Sequence, residues 1–424
     1  MSNETYQRKK HWAPTPRPEW LATMNKMTSS LDMKSVVPLD AASLINQATS
    51  NTGLDDFGDE DWIKHFNALM QSIEDEADLH FAGRVLTRSE FVRYLEIRLN
   101  IVECYKQSPD INNETIDAPV FIFGLGRSGT TILYELLAQD PQFRSPSKWE
   151  SLYPCPPPEQ DSYDNDPRIA KAERANAFNE SLIPELNMMH KSSAKLPVES
   201  VELVYFTFLS EVFASAFQVP SYDAYVATQD MRYCFAWQKK LLKLLQWRCK
   251  AKHWLLKGPS HLPYLTEMLD IYPGARIIFT HRDPIVTADS VVSLQGTLYW
   301  WRSDNPWGDS SFDNWIMGSA ESRAKIWDGI IEHIEDGKID KNNLANFQYS
   351  DFMNDPMASI KKIYADLSLT LTPQVEQKMQ AFLDAKPQGK YGEHNYQQAP
   401  DEVIAQERQA YKKYQDYFGI ANEL

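Results

Sequence analysis

Cysteine is scarce: there are four in 424 residues, Cys104, Cys155, Cys234 and Cys249, with no CxxC pair and no Cys/His metal spacing. That excludes a disulfide-stapled scaffold and the common zinc motifs, and it predicts reduced thiols in a cytoplasmic protein with no metal. Long apolar runs are missing too. Nowhere do about 18 uninterrupted apolar residues occur, and the polar opening stretch MSNETYQRKKHW has no apolar core of signal-peptide length, so neither a membrane span nor a secretion signal is expected. Positive charge is in deficit, since 43 Lys and Arg face 58 Asp and Glu for a net charge of −15. Such a surface repels nucleic acid and anionic lipid, which removes polyanions as partners. A small anionic ligand is still compatible, because a local cluster of cations and helix amides can hold phosphate against an unfavourable net charge. No internal repeat or low-complexity tract is present.

What is there begins with PVFIFGLGRSGTTILYEL, Pro119 to Leu136. Val120 to Phe123 form the apolar run of a buried parallel strand, and Ile132, Leu133, Leu136 and Leu137 recur at helical spacing. Between them Gly124, Gly126 and Gly129 allow the backbone to bend close to an anion, and the free amides opening the helix point at it with the positive end of the dipole. Gly124 and Gly129 have the spacing of a GxxxxGK[ST] nucleotide loop, but Thr130 stands where that loop has its lysine. The cation is instead Arg127, with Ser128, Thr130 and Thr131 as hydroxyl donors. Such a loop grips a phosphate and lacks the group on which ATP and GTP hydrolysis relies.

Three further strand-then-helix units follow. HWLLKGPSHLPYLTEML places Trp254 to Leu256 on a strand and Leu262, Leu265 and Leu269 on a helix. ARIIFTHRDPIVTADSVV has a strand through Ile277, Ile278 and Phe279, then a helix with Asp283 as N-cap and Pro284 as first residue. The third, LANFQYSDFMNDPMASIKKIYADL, ends a strand near Tyr349 and enters a helix after Asp355 and Pro356. This alternation predicts an α/β fold, a parallel sheet flanked by helices with ligands beyond the carboxyl ends of the strands. Residues 1–115 read as a helical N-terminal region, in which Thr87 to Glu90 (TRSE) forms a capping box before Phe91, Tyr94, Leu95 and Leu99. The polar stretch QSPDINNETIDAP reads as a linker into the α/β domain, residues 116–424, which carries a helical insertion at about 150–250.

Arg282 ends a strand and Ser290 lies on the following helix, about two turns in at 1.5 Å per residue. A guanidinium fork and a hydroxyl donor there make a second anion site, and two anion sites suit a ligand with phosphate at both ends. With GRSGTT at Gly126 to Thr131 and this Arg/Ser pair eight positions apart, the chain resembles the sulfotransferases that use 3′-phosphoadenosine-5′-phosphosulfate (PAPS). YSDFMNDP at Tyr349 resembles the strand end whose tyrosine lies near the adenine. GKYGEHNY, Gly389 to Tyr396, resembles a C-terminal cofactor-covering loop in which Lys390 is a candidate contact and Asn395 stands where relatives often have arginine. TGLDDFGDEDW, SKWESLYP and PELNMMHKSSAKLP resemble a bacterial-type branch of the superfamily, so the likeness spans roughly residues 50 to 420.

The resemblance implies transfer of a sulfuryl group from PAPS to a hydroxyl, or an amine, of a small-molecule acceptor without a metal. Gly126, Arg127, Ser128, Gly129, Thr130 and Thr131 would hold the 5′-phosphosulfate, Arg282 and Ser290 the 3′-phosphate, and Arg127 and Lys257 would stabilise growing charge. Two residues are candidates for the base: His261, four positions after Lys257 in KGPSHLP where animal cytosolic relatives have KTHLP, and Glu150 in the KWE segment after the loop helix. His190 and Glu199 in the insertion read as structural or acceptor-facing. The aromatic run Tyr299 to Trp315 reads either as core packing or as a lid over an apolar acceptor. Two other functions fit the cradle alone, a P-loop nucleotide kinase and a non-catalytic nucleotide-binding protein; ATP binding with magnesium dependence would favour the first and absence of turnover the second. Acceptor identity and oligomeric state are not legible.

Overall fold

A computed structural model describes residues 12–189, 192–307, 319–386 and 399–424. The covering loop with Lys390 and Asn395, His190, and residues 308–315 of the aromatic run lie outside the described residues. Five strands, β1 (Val120–Gly124), β2 (Phe143–Arg144), β3 (His253–Lys257), β4 (Arg276–His281) and β5 (Leu344–Gln348), form one sheet in the order β2-β3-β1-β4-β5, every pairing parallel. The four expected strands are present. β2 escapes a periodicity search because two residues cannot display a period, and it exists by pairing with His253 and Trp254.

Both faces of the sheet are covered, and alternation sorts the side chains between them. Val120, Ile122, Leu255, Ile278 and Phe347 pack with Leu133, Leu136 and Leu137 of the loop helix and with Ile360 and Ile363. On the other face, Phe121, Phe123, Leu256, Ile277 and Phe279 share one core with Phe66 and Phe91 from the segment before the sheet and with Phe208 and Phe213 from the insertion. The N-terminal helices thus share one continuous apolar core with this face of the sheet.

Three local expectations need correction. The helix expected to begin with a capping box at Thr87 runs from Phe81 to Gln107. His80 caps it through Nδ1, which accepts from Gly83 N at 2.9 Å, and the Thr87 hydroxyl bonds back to the Gly83 carbonyl at 2.7 Å, the i−4 pattern of an interior threonine. Glu90, the presumed box partner, is buried in an ion pair with Arg302 at 2.8 Å. The presumed linker is bolted down as well: Pro109–Asn113 forms a 3₁₀ turn, Ile111 is fully buried, and Gln246 Nε2 donates to Glu114 Oε2 and the Thr115 carbonyl. Within the insertion, the expected helical stretch of residues 198–217 is broken into the 3₁₀ turns Ser200–Leu203 and Tyr205–Thr207 and a short helix, Val212–Ala216. Among the described residues no helix is long and apolar enough to cross a membrane, and all four cysteines are free thiols.

Burial also gives the fold a pH dependence. Desolvation pushes the imidazoles of His65 and His281 down to about 4 and that of His80 to about 3. His281 sits neutral, Nε2 donating to Asn346 Oδ1 (2.9 Å) and Nδ1 accepting from the Tyr414 hydroxyl (3.1 Å). In the unfolded chain an imidazole takes its proton near its usual value of about 6.5, so below that pH the unfolded state binds more protons and stability is lost down to about 4. Asp223, raised to about 6 by burial and then by the charge of Glu211, acts in the opposite sense, adding stability that disappears as pH rises through that value. Three imidazoles outweigh one carboxyl. The thermal midpoint should therefore fall as pH is lowered from about 7 to about 4.5, and His281→Gln should flatten the slope. Melts that rise on acidification would refute this balance.

Candidate active site

The chemistry-bearing residues meet at the carboxyl ends of β3, β1, β4 and β5, with the glycine loop in the middle because β1 is the central strand. The loop leads into the helix Thr130–Leu137, whose N-cap is Gly129 at φ +90° and whose first turn has no side-chain cap. The amides of that turn therefore point outward unpaired by helix, the arrangement that binds anions. Glycine is required twice. A Cβ at Gly129 would lie 2.8 Å from the Tyr349 ring, and one at Gly124 would lie 2.0 Å from Thr280 Oγ1.

Inside the loop the residues divide their tasks in a way the motif alone does not show. The Ser128 hydroxyl is buried, bonded to the Leu125 carbonyl and to Thr280 Oγ1, each at 2.6 Å. It fastens the loop to β4 and is not the outward donor expected of it. Arg127 is exposed at the tip in the left-handed region, φ +65°, a conformation a non-glycine residue adopts at a cost and one that recurs at functional sites. Thr130 is buried in the first helical turn, whereas Thr131 is exposed and its hydroxyl accepts from Lys257 Nζ at 3.2 Å.

Arg282 crosses over the loop: Nη1 donates to the Arg127 carbonyl at 3.2 Å and the guanidinium stacks 4.4 Å above the Tyr349 ring, which itself contacts Gly129. Asp283 caps the next helix as expected, its carboxylate accepting from Ile285 N at 3.0 Å, and Pro284 opens it. Ser290 is buried on that helix one residue before Val291, which abuts Gly126. The loop, Arg282 and Tyr349 thus come together, and the helix carrying Ser290 packs against the loop through Val291.

The two base candidates do not stand at the rim. Glu150 is fully buried and fully engaged: Oε1 pairs with Arg144 Nη2 at 2.5 Å, and Oε2 accepts from Ser147 N and the Tyr163 hydroxyl, each at 2.9 Å. It is a capping-box residue in a buried ion pair, with no oxygen left for an acceptor. Breaking such a pair typically costs about 3–5 kcal/mol, and an amide that keeps the cap should fall at the lower end. Glu150→Gln should therefore lower the denaturation midpoint strongly while the folded fraction retains its turnover. Normal stability with lost turnover would return Glu150 to the chemistry. His261 is also fully buried, in the 3₁₀ turn Pro259–Tyr264, with Nδ1 2.7 Å from Glu211 Oε1 and its ring edge-on to Phe235. Its Nε2 has no hydrogen-bond partner among the described residues.

Glu199, read from the sequence as structural or acceptor-facing, contacts the candidate lysine. Its backbone bridges Lys257 in parallel, and its carboxylate lies 3.0 Å from Lys257 Nζ. The lysine side chain is 3% exposed and the glutamate 29%, so the pair has one face open beside Thr131. No spacing signals this contact, because the two residues are 58 positions apart. In the described part of the aromatic run Tyr299 is buried, its hydroxyl donating to the Ala214 carbonyl, while Trp300, Trp301 and Trp307 are half-buried. No group of three or more His, Cys, Asp or Glu able to hold a metal occurs among the described residues.

A parallel sheet whose central strand feeds a glycine loop and an uncapped helix, with cations from the neighbouring strands turned onto it, defines an α/β protein of the phosphate-gripping, P-loop-like class. The sequence model of the sulfotransferase family matches residues 119–373, and the chain belongs to that family. Among its relatives is the omega-hydroxy-beta-dihydromenaquinone-9 sulfotransferase of Mycobacterium bovis, 24% identical over 267 residues, a match covering 60% of this chain and 63% of the relative. The sulfotransferase STF9 from Mycobacterium avium has the same fold, with a TM-score of 0.80 at 22% identity over 90% of this chain and 97% of that one. STF1 from Mycobacterium tuberculosis superposes with a TM-score of 0.71 at 25% identity, covering 88% and 98%.

Proposed function

We propose that the protein transfers a sulfuryl group from PAPS to a hydroxyl of a small acceptor. The observation that carries this reading is the joining of two anion sites: Arg282, reaching from β4, touches both the loop that grips one phosphate and Tyr349 beneath it. A mononucleotide site needs one such cradle, and a donor with phosphate on both the 3′ and 5′ positions needs two.

The cradle fits the donor at the residues present. The first-turn amides from Thr130 onward and the Thr131 hydroxyl hold the 5′-phosphosulfate, Arg127 and Lys257 face its charge, and Arg282 with Ser290 takes the 3′-phosphate. Lys390 remains a candidate further contact. When bound, the donor supplies an activated sulfuryl group whose departure leaves negative charge on the bridging oxygen. Lys257 Nζ carries three donors and can hold Thr131, Glu199 and that oxygen together. Glu199, the open member of its pair, is placed to accept the acceptor proton. His261 supports a second assignment on one observation, the unpartnered Nε2 of an imidazole oriented by Glu211, which is how a general base is commonly held. The acceptor named for the mycobacterial relative is an omega-hydroxylated dihydromenaquinone, so terminal hydroxyls of isoprenoid quinones belong first among the acceptors tested.

Incubation of the purified protein with labelled PAPS and a panel of isoprenoid alcohols, phenols, sterols and amines should yield a sulfated product. Tight magnesium-dependent ATP binding with no affinity for adenosine 3′,5′-bisphosphate would replace this reading with the kinase one.

A further inference from the structure

We propose that Glu423 is a built-in competitor for the 3′-phosphate, a carboxylate that occupies the Arg282 fork until a 3′-phosphorylated nucleotide displaces it. The inference rests on Arg282 as the 3′-phosphate ligand. Both oxygens of Glu423 accept from Arg282 Nε at 3.0 Å, and Oε2 also accepts from Nη2 at 2.8 Å. This is the fork-to-oxyanion geometry by which arginine recognises carboxylate and phosphate alike.

The contact is held from behind. Glu423 N donates to Asp283 Oδ2 at 2.8 Å, and Asp283 is fully buried as the cap of the helix that carries Ser290. Arg408, on the helix Asp401–Ala410, clamps the same place, with Nη2 donating to Asp283 Oδ2 at 2.9 Å and to the Leu424 carbonyl at 2.6 Å. Gln415 Nε2 donates to Asn422 Oδ1 at 2.9 Å. Residues 422–424 are therefore anchored to the residue next to Arg282, and the carboxylate is delivered to the guanidinium at a fixed place.

Tethering makes Glu423 an intramolecular competitor, present at an effective concentration set by the anchor. A phosphate monoester carries up to two charges and three accepting oxygens against one charge and two oxygens, so it wins the exchange. Exposure sets the scale. The Arg282 and Glu423 side chains are 21% and 34% exposed, so water screens the pair and the competition amounts to a modest factor rather than a lock. Nucleotides without a 3′-phosphate have nothing to gain from the exchange and leave Glu423 in place. As a bisphosphate product departs, the carboxylate returns to Arg282 and opposes rebinding.

The test is calorimetric titration of adenosine 3′,5′-bisphosphate and of AMP into the full chain, its Glu423→Gln and Glu423→Ala variants, Arg282→Ala, and the double variant Arg282→Ala/Glu423→Gln. Removing the competitor should tighten bisphosphate binding about three- to tenfold in both Glu423 variants and leave AMP unchanged. In the Arg282→Ala background the Glu423 substitution should have no effect. Bisphosphate affinity that is unchanged or weaker in both Glu423 variants overturns the proposal. A distinct result, Arg282→Ala weakening bisphosphate no more than AMP, overturns the assignment of the 3′-phosphate site itself.

Discussion

A Glu199→Gln enzyme should turn over on the order of 10²- to 10⁴-fold more slowly than the wild type while binding adenosine 3′,5′-bisphosphate about equally well. The amide keeps the size and one hydrogen-bonding oxygen of the carboxylate but cannot take a proton. Of the three groups weighed as base, Glu199 is the one with an open face, 29% exposed, and it touches Lys257 Nζ at 3.0 Å; Glu150 and His261 are fully buried. Turnover at saturating PAPS, set beside bisphosphate affinity, measures the effect. An active Glu199→Gln enzyme together with an inactive but folded His261→Gln enzyme would assign the proton to the Glu211-oriented imidazole instead.

Lys257→Met should cost about 10²- to 10³-fold in turnover, the usual loss when one preorganised donor to developing charge is removed. Methionine preserves the length and apolar stem of a side chain that is 3% exposed, so packing is kept, and Glu199 remains partly solvated when its partner goes. Bisphosphate affinity should change little, because that ligand lacks the sulfuryl group whose departing charge Lys257 faces. Parallel measurement of turnover and bisphosphate affinity separates the outcomes. A variant with normal turnover and weakened bisphosphate binding would make Lys257 a binding residue rather than a stabiliser of the reacting group.

The difference between Glu150 and Glu199 shows where linear reading stops. Glu150 attracts attention because SKWE follows the loop helix, yet that same pattern is a capping box, and Arg144 and Tyr163 hold one oxygen each. Glu199 precedes a 3₁₀ turn in a stretch without a motif and reaches Lys257 only because the insertion lays one residue alongside β3. Ser128 is a similar case, since its motif position names a phosphate donor while the close approach of β4 turns the hydroxyl onto Thr280.

By itself the sequence determined the parallel sheet, the strand-loop-helix cradle, the cap at Asp283 and the place of Arg282 just beyond a strand end. Each of these is written in short-range pattern: apolar runs, glycine spacing, a proline in the first turn. What only the tertiary structure decided are the contacts between residues far apart in the chain. Glu199 on Lys257, Glu211 on His261 and Glu423 on Arg282 are each brought together by packing of separate segments. No local spacing encodes them, because a side chain's partner and its exposure are set by which elements close over it, and these fix whether a carboxylate caps, fastens or faces the site.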